Sequence, residues 1–97
     1  MYKMQIFQEV LSAVVEATEV EPEHILSGRK GEEVVDARAL LIRLMSEKGL
    51  YPIQISKLTG INIRSTAHFL LGFNDRVNSR KILRMNYEIT RNQLGLS

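Results

Sequence analysis

The chain has 97 residues, 44% hydrophobic and 25% charged, which describes one ordinary globular domain and excludes global disorder. No apolar run is long enough for a bilayer, and no charged segment leads into an apolar stretch as in a signal peptide. The absence of cysteine removes disulfides, thiolate catalysis and cysteine zinc sites, which fits a reducing, cytoplasmic setting.

The elements read as helices throughout. Phe7, Val10, Leu11, Val14 and Ala17 follow helical spacing and predict a first helix from about Lys3 to Thr18. Pro22 suits the first position of a short second helix, Pro22 to Leu26. Ser27–Gly31 is a loop holding the adjacent cations Arg29 and Lys30. A third helix runs from about Glu32 to Lys48 with Val34, Ala37, Leu41, Leu44 and Met45 inside. Its acidic start and basic end suit the helix dipole, and Gly49 closes it. Pro52 opens a fourth helix to Leu58. Thr59–Asn62 is a turn in which Gly60 takes the left-handed conformation and Asn62 caps a fifth helix reaching about Phe73. Asn74-Asp75 is expected to break and recap the chain. A last helix follows from about Arg76 to Gln93, with Ile82, Met85 and Ile89 on one side and Leu83, Tyr87 and Leu94 on another. The expected fold is all-α, a single-domain bundle of five to six helices.

Charge is uneven along this plan. Residues 1–56 hold six Lys/Arg against nine Asp/Glu, a balance of −3, whereas residues 57–97 hold seven against two, a balance of +5. A basic half is an electrostatic footprint for phosphate, or else a merely solvated face. The segment 52–73, a short helix, a glycine turn and a second helix, is the pattern of a helix-turn-helix. Small Ser56 permits close approach of the helices. Ile55, Leu58, Ile61 and Ile63 fill the corner, and Ala67 and Leu70 face the core. Lys57, Asn62, Arg64, Ser65, Thr66 and His68 remain to meet a ligand. Such a helix offers its first residues to the major groove of duplex DNA, where arginine reads guanine and asparagine reads adenine. Arg29 and Lys30 are placed to reach phosphate or a minor groove. Read purely structurally, the segment is a plain helical corner and the two loop cations are solvated.

These residues resemble the C-terminal DNA-binding domain of DnaA, the bacterial replication initiator, a helical bundle that is also similar to the tryptophan repressor. The resemblance covers roughly residues 6–73. It rests on Ile25-Leu26-Ser27 with Arg29, Lys30, Val34 and Arg38, and on Ile55-Ser56 through Gly60 to Ser65-Thr66-Ala67. It implies that Ser65 and Thr66 touch a base and a phosphate, and that Lys30 stands where the family uses a minor-groove arginine. Asn62-Ile63-Arg64 replaces the family's Arg-Asp-His readers. Isoleucine cannot accept from cytosine, so a different target sequence is expected. The chain carries no Gly-x-x-x-x-Gly-Lys-Ser/Thr loop, which points to a small regulator or accessory factor without ATPase activity.

Catalysis is not expected: His24 and His68 stand far apart, and no metal-ligand spacing or cofactor motif is present. The rival reading is a helical protein-interaction module. The family's isolated domain implies a monomer, but the last helix is where a homodimer is expected if one forms.

Overall fold

The computed structural model describes residues 2–96. It is all-helical among those residues: α1 (Tyr2–Thr18), α2 (Pro22–Ile25), α3 (Glu32–Glu47), α4 (Pro52–Thr59), α5 (Ile63–Ser79) and α6 (Lys81–Gln93). The first four helices lie where local chemistry predicts. Pro22 and Pro52 open α2 and α4, and Gly49, at φ +101°, follows the end of α3.

The molecule is organised around α3, which packs against all five other helices. Its position explains a departure from the sequence reading. Ala39, Leu40 and Ile42 are buried together with the expected Ala37, Leu41, Leu44 and Met45, whereas Val34 is only half-buried. A helix surrounded by neighbours buries every side, so a single apolar stripe underestimates it. α1 contributes Phe7, Val10 and Val14 to this core, α4 contributes Ile55, and α5 contributes Phe73 and Val77.

The second departure concerns the end of α5. The helix does not break at Asn74-Asp75 but continues to Ser79, with Arg80 as the single extended residue before α6. Asn and Asp disfavour a helix interior only weakly. Both are exposed here, while their neighbours Phe73 and Val77 are buried, and burial outweighs propensity. The junction is held by charge. Arg80 pairs with Asp36 at 2.5 Å and with Glu32 at 3.2 Å, and Arg76 pairs with Asp36 at 3.2 Å. The hydrogen bond from Arg80, reinforced by its charge, holds the Glu32 carboxyl below the usual carboxylate range. Farther along, Glu47 receives Arg43, Arg91 and the Tyr87 hydroxyl.

These pairs revise the charge argument. Arg76, Arg80 and Arg91 supply much of the basic excess of residues 57–97, and each is neutralised by an acidic residue of α3. The halves are therefore partly complementary to each other. What remains for a ligand is more local than the sequence balance implies.

Candidate nucleic-acid interface

The corner between α4 and α5 is built by four side chains hydrogen-bonded to backbone. Thr59 Oγ1 donates to the Ile55 carbonyl at 2.8 Å and accepts from the Ile61 N–H at 3.2 Å. Ser56 Oγ donates to the Ile61 carbonyl at 2.6 Å. Asn62 Oδ1 accepts from the Ser65 N–H at 2.8 Å, the expected N-cap. Thr66 Oγ1 donates to the Asn62 carbonyl at 3.0 Å. Gly60, at φ +79°, makes the reversal and donates its N–H to the Ser56 carbonyl at 2.9 Å. A Cβ at Gly60 would meet no atom within 4 Å, so only backbone strain opposes substitution. Gly60→Ala is expected to lower stability by about 1–2 kcal/mol in chemical denaturation. A neutral result would show that the turn rearranges freely.

The burial pattern of α5 corrects two sequence assignments. Thr66 is fully buried, on the same side as Phe73 and Val77, and its hydroxyl is consumed by the helix's own backbone. It packs the corner and does not offer itself to a ligand, contrary to the expected base or phosphate contact. Leu70 is half-buried against the core as expected and Ala67 is half-buried, whereas Ile63 is exposed rather than plugging the corner. The outward line of α5 is Arg64, His68, Leu71 and Asp75, at the four- and three-residue spacing of one helical face. Leu71, missed by the sequence reading, is 87% exposed on this line.

Opposite the start of α5 lies the loop after α2. A cleft of about 800 Å³ separates them, and its lining includes Lys30 from the loop and Asn62, Arg64, Ser65 and His68 from the corner. The structure thus brings together five of the expected residues from two sequence-distant segments. Arg29 and Lys57 are exposed outside this cleft. Among the described residues, Arg29, Lys30, Lys57 and Arg64 make no ion pair, in contrast to Arg76 and Arg80.

Arg38 fixes the loop beside the corner, a function that sequence reasoning does not give it. It lies in α3, is 7% exposed, and donates to the carbonyls of Ile25 at 2.7 Å, His24 at 3.1 Å and Arg29 at 3.0 Å. Burial lowers its pKa from the ordinary guanidinium value. The cation is compensated by carbonyl dipoles, since no carboxylate pairs with it among the described residues. Ser27 completes the loop: its hydroxyl donates to the His24 carbonyl at 2.9 Å and accepts from the Arg29 N–H at 3.1 Å. The one signal in the sequence is an arginine inside the apolar run Ala37–Leu41.

No known family, curated protein or solved structure matches this chain. Among the described residues, no group of three or more His, Asp or Glu side chains is placed to hold a metal, and no helix is long and apolar enough to cross a membrane.

Proposed function

We propose that this chain is a small, non-enzymatic, sequence-specific binder of duplex DNA, acting through a helix-turn-helix formed by α4 and α5. The observation that carries the reading is the cleft at which the Lys30 loop faces the cationic start of α5. Arg64 and His68 project from the first two turns of α5, directly after its cap Asn62, the part that a recognition helix presents to base edges. Lys30 stands on the far side of the cleft, with Arg29 exposed beside it in the same loop, where the loop can follow the phosphate backbone into the adjoining minor groove. Unpaired surface cations on both sides favour a polyanion. The resemblance of residues 6–73 to the C-terminal domain of DnaA belongs to this proposal, with the altered readers Asn62 and Arg64 implying a different target. A bacterial regulator or replication accessory factor is the role that this resemblance suggests. Both contacting elements belong to one copy, so the reading needs no second subunit.

The test is selection from a random duplex pool with the purified chain, followed by a salt titration. Enrichment of one motif, with affinity falling steeply as salt rises, is the expected result. Salt-labile binding without enrichment would instead favour a helical protein-interaction module. On the selected site, Arg64→Ala is expected to cost about 1–3 kcal/mol and relax one base position, whereas Lys30→Ala weakens all sequences alike and lowers the salt slope by about 1. Equal tolerance of every base by parent and Arg64→Ala protein would remove Arg64 from the readers.

A further inference from the structure

α6 uses one side for the core and leaves the other uncovered. Leu83, Thr90 and Leu94 are buried and Tyr87 is half-buried against Phe73, with ring centroids 5.0 Å apart. On the opposite side Ile82 is 67%, Met85 48% and Ile89 50% exposed. These three residues form an apolar stripe about 10 Å long on a helix of 13 residues. Along one flank of the stripe lie Lys81 and Glu88, one heptad apart and both exposed. The cation occupies the N-terminal end of that flank and the anion its C-terminal end. Glu88 makes no ion pair among the described residues. Lys81 likewise makes no ion pair among the described residues, whereas Arg84 lies farther round the helix and bonds the carbonyls of Val77 and Asn78 in α5.

We propose that this stripe is a homodimer interface, in which two copies of the chain pack α6 against α6 in antiparallel orientation about a two-fold axis close to Met85. The charge order selects both the occupant and its direction. An antiparallel pair brings like flanks together, so Lys81 of each copy faces Glu88 of the second copy, while the Ile82 end of each stripe meets the Ile89 end of the other. A parallel two-fold pair brings opposite flanks together, so Lys81 and Glu88 would meet only neutral Asn86 and Gln93 and gain no ion pair. The surface is thus complementary to itself. The opposite flank carries only neutral Asn86 and Gln93 and imposes no conflict. One helix pair buries an area at the small end of specific interfaces, so a weak, concentration-dependent dimer is expected. This inference goes beyond DNA binding and does not depend on it.

Sedimentation of the full chain, without DNA, from roughly 10 µM to 1 mM tests it. A monomer–dimer equilibrium is expected. Lys81→Glu alone and Glu88→Lys alone should each weaken association about 10-fold, because each variant faces its own copy with like charges. An equimolar mixture of the two single variants should recover association, since the reversed charges match between unlike chains. All these positions are exposed, and circular dichroism verifies the fold of each variant. A parent chain that stays monomeric at 1 mM would overturn the proposal. So would a dimer indifferent to both reversals. Weakening by both reversals without recovery in the mixture would also overturn it, because an effect confined to one helix cannot be repaired by a second chain.

Discussion

Phe73→Ala is expected to remove about 3–5 kcal/mol of folding free energy and to lower Tm by roughly 15–25 °C. Phe73 is fully buried in α5, against α3 and α6. Its ring meets Tyr87 edge-on, and the Arg43 guanidinium lies over it at 5.0 Å from the centroid. Truncation loses the transfer free energy of the ring and leaves a cavity. The surrounding groups cannot collapse freely, because Arg43 and Tyr87 are both tied to Glu47. The loss is a large share of the stability of a domain this size. Urea unfolding followed by circular dichroism measures it, with Leu71→Ala as the comparison. Leu71 is exposed, so its truncation should stay within about 0.5 kcal/mol. Comparable effects at the two positions would contradict the inward placement of Phe73.

That contrast indicates which parts of this fold are legible in sequence. Helix starts at Pro22 and Pro52, the reversal at Gly60 and the cap at Asn62 are set by neighbouring backbone groups, and each lies where local chemistry places it. The buried side of α5 is set at long range, by where α3 lies. Thr66 therefore reads as a polar ligand group in the sequence yet is a core residue in the fold. The run through Asn74-Asp75 has the same origin, because Phe73 and Val77 dock onto the core on either side of those residues. Charge balance misleads in a related way. Formal counts cannot tell Arg64, which is free, from Arg76 and Arg80, which are bound to Asp36 some forty residues earlier. The Lys30 loop and the start of α5 are legible in sequence only as two separate elements. The residue that holds the loop on α3, Arg38, sits in a helix that composition marks as core.

Arg38→Met should therefore act on stability and on DNA affinity through one cause. Methionine keeps most of the aliphatic stem and removes every donor. The His24 carbonyl retains the Ser27 hydroxyl, but the carbonyls of Ile25 and Arg29 lose the guanidinium. Leaving such acceptors without a partner costs about 1–3 kcal/mol each, reduced where the loop opens and water enters. Removing the buried charge offsets part of this, because its desolvation penalty disappears with it. A net loss of about 2–3 kcal/mol is the expected balance, or roughly 10–20 °C in Tm. If the loop then detaches from α3, Lys30 no longer faces the start of α5 and Arg29 is displaced with it. Affinity for a selected duplex should fall, and the slope of log affinity against log salt should decrease by about 1–2, one for each phosphate that the loop no longer neutralises. Arg64→Ala should leave that slope nearly unchanged while altering base preference, so the two variants separate loop placement from base reading. The measurement belongs at a temperature where the variant is fully folded. A folded Arg38→Met protein with the parent's salt slope would mean that the loop holds its place without the arginine. Arg38→Lys retains the charge but offers a single ammonium in place of the guanidinium fork that spans three carbonyls. It should recover part of the stability and little of the slope, because holding the loop depends on geometry more than on charge.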